Sequence, residues 1–424
     1  MSASSRPPLT SPPSPAAAPV DVSADASAAA SADASTRPAW LVAAGDFVVT
    51  GGMDAANHAL AAYLARSGRE THLVAHRVAP DLASLPGVHV HRVPRPLGSH
   101  LLGFPLLDAA ARHRATSSTT HRAVSVHVDS STLVTLANGG NFPGRATWLH
   151  YVHAAYRPEI AGRRLRRVVA AAARWKALRD ERAVASRAAV VIANSALTAR
   201  HAVELLGADP ARVHTVYYGA DPDRFRPPTA EERARARAAL GMGEDAPALA
   251  FVGALGDRRK GFDTLFRAFV SLSSEGGWDA TLLVAGAGGE LEAWKRRAEE
   301  AGLSRRIRFL GFRADVREVL FAADGLVSPT RYEAYGLAVQ EAICTGLPAV
   351  VSRAAGVAER ISSPLDALLL DDAESAEELA ERLLAWRAGV EAHRAAALEL
   401  AATLRAWTWD HMAARIVDIV ESHR

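Results

Sequence analysis

The sequence has little cysteine, little lysine and no long apolar run. Its single cysteine, Cys344, cannot form an internal disulfide bond, which excludes a disulfide-stapled scaffold and favours a reducing compartment, the cytosol. No uncharged apolar stretch reaches the roughly 18 residues that a transmembrane helix needs. Because only three lysines occur, the net charge of +3 rests on arginine, and so small a surplus over 424 residues does not favour nucleic acid as a partner.

Large apolar side chains are nearly absent from the first 38 residues, which consist mainly of Ala, Ser, Pro and Asp. Such a composition cannot offset the entropy of ordering, so a disordered tail is expected over residues 1–38. The tail also lacks the compact apolar stretch of a signal peptide, and secretion is therefore not expected. The remaining chain is long enough for two hydrophobic cores.

From residue 40 onward, short β-branched or apolar runs alternate with longer segments of helical period. This pattern predicts an α/β fold of parallel sheets flanked by helices. A Pro-, Gly- and charge-rich linker begins near Gly219 and divides the pattern in two. The predicted organisation is a first domain over 39–218, a second over 219–404, and a C-terminal helix over 405–424 that could cross back to the first. In the first domain, the predicted strands are 40–44, 71–75, 88–92, 123–128, 147–151, 190–193 and 213–217.

The most informative segment is SPTRYEAYGLAVQEAICTGLPAVV, residues 328–351. It predicts a strand, a loop that holds Glu333, and a helix that starts near Gly336. A helix start presents unpaired N–H groups and suits a phosphate, and glycine has no Cβ to obstruct it. A pyrophosphate on the N–H groups of Gly336 and Leu337 would place Glu333 near a sugar and Glu341 near a ribose. The alternative is structural, with one carboxylate favoured by the helix dipole and the other simply solvated.

A basic loop bracketed by Gly256 and Gly261 contains Arg258, Arg259 and Lys260. A nucleoside diphosphate gathers negative charge as it leaves a sugar, and fixed cations aimed at it lower the barrier without a metal. The alternative for such a run is a solvated turn.

Metal-spaced carboxylates are not convincing in this sequence. Asp221 and Asp223 imitate an Asp-x-Asp site, but they flank a proline in the linker and are explained by a turn. No metal site is therefore predicted.

In the first domain, the loop Gly51-Gly52-Met53 follows a predicted strand and precedes a helix. Its glycines would let a ligand or the facing domain approach the backbone. His153 follows another predicted strand and is a candidate site residue. The alternative is that it is a packed or surface histidine without a functional role.

The pair Glu333-x7-Glu341, the later AAGVAERI, and the upstream IRFLGF, YYGADPDRF and FVGALGDRRKGFDTL resemble the signature of glycosyltransferase family four, most strongly over residues 212–361. The resemblance implies the GT-B architecture, two facing Rossmann-like domains with an inter-domain cleft. It implies donor binding by the second domain, acceptor binding by the first, and retention of anomeric configuration. It also implies a nucleotide-diphosphate sugar as co-substrate and no cofactor or metal.

The family's residue roles are carried over to matching positions. Glu333 would orient the donor sugar, and Lys260 with Arg258 or Arg259 would stabilise the leaving group, because Ala254 stands where the family usually has arginine. The predicted catalytic residues are Glu333, Lys260, Arg259 and His153; the donor-binding residues are Gly336, Leu337, Glu341, Gly253, Arg258, Gly286, Phe312 and Tyr335; the acceptor-side residues are Gly51, Gly52 and Met53.

The expected function is transfer of a hexose-type sugar to a glycan, lipid-linked or small-molecule acceptor in cell-surface polysaccharide or glycoconjugate synthesis. The expected location is the cytoplasm. The basic segment 157–182 would contact anionic lipid at the inner face of the membrane or an acidic acceptor; the alternative is a solvated helix that covers the first sheet. Two alternatives remain open, a non-catalytic sugar-nucleotide-binding protein and a GT-B-fold sugar-nucleotide epimerase. A glycosyl phosphorylase would need a pyridoxal-binding lysine, and only three lysines exist.

Overall fold

The structure, a computed structural model, describes residues 37–116, 133–158 and 164–423, apart from positions 141, 143 and 275. Nearly all of the predicted tail and the whole predicted strand 123–128 lie outside these residues. The chain from Pro38 to Arg424 forms one compact unit.

The first half is built on a seven-stranded parallel sheet of order β5-β3-β1-β6-β7-β8-β9, beside a two-stranded parallel ribbon of β2 and β4. Its central strands are buried on both faces, as parallel strands covered by helices must be. The strands are β1 Trp40–Ala43, β2 Asp46–Phe47, β3 Thr71–Ala75, β4 Arg77–Val78, β5 Val88–Arg92, β6 Val134–Asn138, β7 Ala146–Leu149, β8 Val190–Ala193 and β9 Val213–Thr215; the helices are α1 Gly52–Arg66, α2 Pro80–Ala83, α3 His100–Thr116, α4 Arg164–Ala185 and α5 Ala196–Leu206.

The second half is built on a six-stranded parallel sheet of order β12-β11-β10-β13-β14-β15. The strands are β10 Ala248–Val252, β11 Thr281–Ala285, β12 Ile307–Gly311, β13 Gly325–Ser328, β14 Ala349–Ser352 and β15 Leu369–Leu370; the helices are α6 Ala230–Ala239, α7 Phe262–Ser274, α8 Leu291–Glu300, α9 Arg317–Ala322, α10 Leu337–Cys344, α11 Ala376–Ala388, α12 Val390–Ala406 and α13 Trp409–Ser422.

Strand order reverses once in each sheet, between β1 and β6 and between β10 and β13. In open parallel sheets, ligands bind beyond the carboxyl ends of the strands at such a switch point. The two switch points therefore mark where a site should be sought.

The C-terminal helix α13 packs against α1 of the first half. The carboxylate of Glu421 accepts hydrogen bonds from Trp40 Nε1 at 3.0 Å and from Arg69 Nε at 2.8 Å. A parallel bridge between Ala220 and Thr408 brings the linker beside the start of this helix. The last helix therefore belongs to the first half in space, although it follows the second half in sequence.

Candidate functional site

The switch point of the second sheet is shaped by a short turn after β10. Residues Arg258–Lys260 form a single 3-10 turn, capped by the Asp257 side chain and ended by Gly261 at φ 70°. A Cβ on Gly261 would lie 1.8 Å from the carbonyl oxygen of Pro329, so only glycine allows this turn to lie against the loop after β13. That contact brings Lys260 to the loop that holds Glu333.

Lys260 and Glu333 form a close ion pair, in which Nζ donates to Oε2. The backbone of Glu333 is held by two hydrogen bonds to the segment after β14: its N–H donates to Ala354 O at 3.0 Å, and Gly356 N donates to its carbonyl at 2.9 Å. Both side chains keep about a quarter or a fifth of their surface exposed, 25% for Lys260 and 20% for Glu333. The Lys260 ammonium group is thus paired with the Glu333 carboxylate, and a phosphate could replace that carboxylate as its partner.

Arg259 and Arg258 have different surroundings. Arg259 pairs with Asp257 at 3.0 Å, and its guanidinium carbon lies 5.1 Å from the ring centre of Tyr151, which belongs to the first half. Burial lowers the pKa of Arg259, but the negative charges of Glu333 and Asp257 outweigh burial and raise it above its ordinary value. Arg258 instead pairs with Asp263 at 3.3 Å. Of the two arginines, Arg259 is therefore the one placed beside the Lys260–Glu333 pair.

Helix α10 starts at this same point with Gly336 as its N-cap, at φ 107°, and no side chain caps it. A Cβ on Gly336 would lie 3.0 Å from Val357 Cγ1, so glycine suits both the φ and the space. From the first half, a Cβ on Gly52 would lie 3.6 Å from the Cβ of Leu337. The predicted acceptor-side loop therefore meets the helix start, whose N–H groups and dipole suit a phosphate.

Glu341 lies farther along α10, half-buried, and its carboxylate has no hydrogen-bond partner among the described residues. Burial raises its pKa to about 8; Arg224 opposes the rise and Asp315 adds to it. An unpartnered half-buried carboxyl can accept hydrogen bonds from hydroxyl groups, and a ribose would supply them.

The carboxyl ends of β10, β11 and β12 converge next to the Lys260–Glu333 pair. A Cβ on Gly286 would lie 1.8 Å from the carbonyl oxygen of Gly253, and Gly286 N donates to Gly311 O at 2.8 Å. Phe312 follows directly and is 75% exposed at the rim. Its free ring offers a surface on which a nucleobase could stack.

Tyr335, a predicted donor-binding residue, has a buried side chain. Tyr335 is 1% exposed, its hydroxyl donates to Gln340 Oε1, and its ring packs at 5.1 Å from that of Tyr218. Burial raises its pKa above the ordinary value. Its side chain therefore packs in the core, and only its backbone could contribute to a donor site at Gly336.

A cavity of about 1050 Å³ lies at the carboxyl ends of the first sheet. Met53, which is 43% exposed, lies on its wall just after the Gly51 and Gly52 backbone. The carboxylates that line it include Asp46 of β2 and Asp54 in the first turn of α1. Burial and, to a lesser degree, the negative charge of Asp46 raise the pKa of Asp54 to about 6, against the opposing charges of Arg77 and Arg95.

His153 also lines this cavity and is held by Glu181 of α4. The Glu181 carboxylate accepts the His153 N–H at 3.0 Å and lies 3.2 Å from the ring Nδ1. The Glu181 side chain is only 2% exposed, whereas that of His153 is 51% exposed. The buried carboxylate therefore positions the histidine.

Asp46, Asp54 and Glu181 are not among the site residues predicted from the sequence. The first two had a usable signal, because Asp46 follows a strand at its carboxyl end and Asp54 follows Gly51-Gly52-Met53 directly. Glu181 had none, since its partner lies 28 residues away in the chain.

The linker aspartates Asp221 and Asp223 lie in a turn that the Asp221 side chain stabilises. Asp221 Oδ1 accepts hydrogen bonds from the backbone N–H of Asp223 at 3.2 Å and of Arg224 at 3.0 Å. An aspartate that bonds its own backbone in this way is a common turn former.

Two family models match the chain, one in each half. The model described as Glycosyltransferase Family 4 matches residues 50–224, and the one described as Glycosyl transferases group 1 matches residues 246–387. The chain belongs to the family four, group 1 glycosyltransferases.

One curated relative of this chain is the D-inositol 3-phosphate glycosyltransferase of Nocardia farcinica. The two are 32% identical over 246 residues, and the match covers 56% of this chain and 53% of that relative. The chain spans about half the length of the curated relatives it matches.

Among solved structures, WaaG, a glycosyltransferase involved in lipopolysaccharide biosynthesis, matches with a TM-score of 0.70 at 21% identity, over 90% of this chain and 99% of that one. Anabaena HepE in complex with UDP-glucose matches with a TM-score of 0.67 at 18% identity, over 91% of this chain and 100% of that one. These similarities confirm the predicted GT-B fold for this glycosyltransferase-family chain. Within the described residues, no helix is long and apolar enough to cross a membrane.

Proposed function

We propose that the protein is a retaining glycosyltransferase, which transfers a hexose-type sugar from a nucleotide-diphosphate sugar to a glycan, lipid-linked or small-molecule acceptor. The observation that carries the proposal is the Lys260–Glu333 ion pair, which lies beside the uncapped start of α10 and opposite Gly52. A cation, a carboxylate and free helix N–H groups within one cleft suit a sugar linked to a diphosphate.

In this proposal, the donor's diphosphate binds the N–H groups at Gly336 and Leu337. It also replaces the Glu333 carboxylate as the ion-pair partner of Lys260. Glu333 then accepts hydrogen bonds from the hydroxyl groups of the donor sugar, while Glu341 accepts those of the ribose. Arg259 adds a second fixed cation. As the bond between the sugar's anomeric carbon and the diphosphate oxygen breaks, charge on that oxygen is stabilised by groups already in place.

The acceptor hydroxyl attacks from the face that the diphosphate leaves, so no side chain acts as the nucleophile. Its oxygen forms the new bond to the anomeric carbon, and its proton passes to the departing phosphate oxygen. His153, positioned by Glu181, lies at the acceptor-side cavity and would contact the transferred sugar.

The acceptor cavity supports a hydroxyl-rich acceptor. Several of its cations are paired with carboxylates: Arg77 with Asp46 at 2.6 Å, Arg112 with Asp108 at 3.0 Å, and Lys176 with Asp180. Such pairs offer both donors and acceptors to sugar or polyol hydroxyls without a large excess of either charge. D-inositol 3-phosphate, named in the relative from Nocardia farcinica, is a polyol of this kind and belongs in any acceptor panel.

The proposal includes a role in cell-surface polysaccharide or glycoconjugate synthesis and a cytoplasmic location, at the inner face of the membrane where the acceptor is lipid-linked. The lone, buried Cys344 is compatible with a reducing compartment. The exposed apolar and basic surface of α4 would supply the membrane contact.

The test is proton NMR of reactions that combine uridine, guanosine and adenosine diphosphate hexoses with a panel of sugars, inositol phosphates and lipid acceptors. We expect one donor to give a product of retained configuration. The Glu333→Gln variant should lower kcat by about tenfold or more, roughly 1.4 kcal/mol, whereas Glu341→Ala should chiefly raise the donor KM.

Other outcomes separate the alternatives. An inverted product would contradict retention, and unchanged kinetics in both variants would remove the site. Donor binding without turnover would favour the non-catalytic binder, and interconversion of donor sugars without an acceptor would favour the epimerase.

A further inference from the structure

A cluster of histidines lies at the outer edge of the first sheet. The edge strand β5 pairs in parallel with β3, and the register sets His72 opposite His89. Side chains that are directly paired, or two residues apart on one strand, lie on the same face of a sheet. Glu70 directly precedes β3, two residues before His72, and its carboxylate reaches both histidines on this face.

The three side chains converge on a small volume. Glu70 Oε1 lies 3.2 Å from His72 Nε2 and 3.4 Å from His89 Nε2, and the three ligand atoms all lie within 4.8 Å of one another. Bonds of about 2.0–2.2 Å from a tetrahedral zinc ion to imidazole and carboxylate ligands place those atoms about 3.3 Å apart. The two shorter separations already equal that spacing.

The other nitrogen of His72 is engaged by a fourth side chain. His72 Nδ1 lies 3.0 Å from His91 Nε2, and the His72 and His89 rings are stacked with centres 4.8 Å apart. A metal-binding histidine is ordinarily held by a hydrogen bond at its second ring nitrogen, which fixes the ring and leaves the first nitrogen for the metal. His91 fills that role for His72.

We propose that Glu70, His72 and His89 bind one divalent transition-metal ion of the zinc class, with water in the remaining position. The His72 side chain is buried at 6% exposure, while Glu70 and His89 keep 30% and 34%, so an ion can enter from solvent and leave one position to water. Among the described residues, no other group of three His, Cys, Asp or Glu side chains comes together in this way. Imidazole and carboxylate ligands suit Zn²⁺ and its neighbours rather than Mg²⁺ or Ca²⁺.

The role of this ion is to tie the edge strand β5 to β3. His72 and His89 are the second residues of their strands, so the site lies at the amino ends, whereas the cavity of the first half lies at the carboxyl ends. Metal binding should therefore stabilise the first half without taking part in transfer, and the inference does not depend on the proposed activity.

The test uses the full chain without an affinity tag, stripped of metal and titrated with Co²⁺, whose visible spectrum reports its coordination. We expect one equivalent to bind with the intense bands of a four- or five-coordinate site, Zn²⁺ to displace it, and Zn²⁺ to raise the thermal unfolding midpoint. His89→Ala and Glu70→Gln should each weaken Co²⁺ binding at least tenfold. Both residues are partly exposed, and far-ultraviolet circular dichroism checks that the variants fold.

The matched control is His58→Ala. His58 Nε2 lies 3.1 Å from Asp81 Oδ2, and this histidine–carboxylate pair belongs to no three-ligand group among the described side chains. Binding by this variant should equal that of the wild type. Absence of Co²⁺ uptake by the wild type, or wild-type uptake by both Glu70→Gln and His89→Ala, would overturn the proposal.

Discussion

Glu341 is a carboxyl group that the fold holds toward its protonated form. Its pKa is raised from an ordinary 4.5 to about 8, chiefly by burial. Between these values, the folded chain keeps a proton that the unfolded chain releases. The stability that this proton contributes is complete below the unfolded pKa and is lost as the pH rises through the folded pKa.

The Glu341→Gln variant tests this linkage, because glutamine stays neutral at every pH. Its free energy of unfolding should exceed that of the wild type by about 2 kcal/mol or more near pH 9, and the difference should shrink toward pH 5. Urea unfolding at both pH values measures it. Glu399→Gln, at an exposed position of α12, is the control and should change neither value. An equal difference at both pH values for Glu341→Gln would contradict the linkage.

Residues whose roles depend on local backbone could be predicted from sequence, and residues whose roles depend on distant pairing could not. Gly336 was predicted at a helix start, and the structure has it as the N-cap of α10. Glu181 and the histidine cluster gave no signal, since their partners are set by strand register and helix packing. Tyr335 lies in a predicted motif, but motif membership does not reveal which way a side chain points.

At the scale of elements, the alternating pattern predicted most strands but missed the two-residue strands β2 and β4 and also β6, the central neighbour of β1. Its sequence VTLAN is short, and the polar residues Thr135 and Asn138 interrupt the apolar run. Burial at the centre of the sheet, which the sequence does not display, explains why these residues form a strand.

Helix α4 combines basic and apolar side chains on an exposed surface. Trp175 is 64% exposed and Val168 is 59% exposed, and the guanidinium of Arg179 lies 5.3 Å from the Trp175 ring centre. Such a surface suits the headgroup region of an anionic membrane. The alternative from sequence, a solvated helix that covers the sheet, predicts no lipid binding.

Sedimentation with anionic vesicles at low salt distinguishes the two interpretations of α4. We expect the wild type to sediment with the vesicles and Trp175→Glu to lose at least half of the bound fraction, because a charge replaces the apolar anchor. Leu384→Glu is the matched control, since Leu384 is a 50% exposed apolar residue on α11 of the second half. Wild-type protein that stays in the supernatant would leave only the solvated helix.

At the scale of the whole molecule, the loop that holds Glu333 and the turn after β14 that pairs with it are both joined to the first half. The Tyr332 hydroxyl accepts a hydrogen bond from Val152 N at 3.0 Å. Glu359, in the turn after β14, accepts hydrogen bonds from Ala196 N at 2.6 Å and Leu197 N at 3.1 Å at the start of α5. Both segments therefore touch the first half. This arrangement supports the proposal that the cavity of the first half and the Lys260–Glu333 site act on one sugar.

The central claim is that fixed protein cations, rather than a divalent metal, stabilise the leaving nucleoside diphosphate. Its most direct test is the rate of nucleoside diphosphate release from the active donor in excess EDTA, measured well below the unfolding midpoint. We predict an unchanged rate for the wild type and a loss of about 10²- to 10³-fold, roughly 3–4 kcal/mol, for Lys260→Ala. Lys295→Ala, whose lysine pairs with Glu292 at 2.9 Å on α8, should keep the wild-type rate. Loss of wild-type activity in chelator, restored by Mn²⁺ or Mg²⁺, would contradict the account.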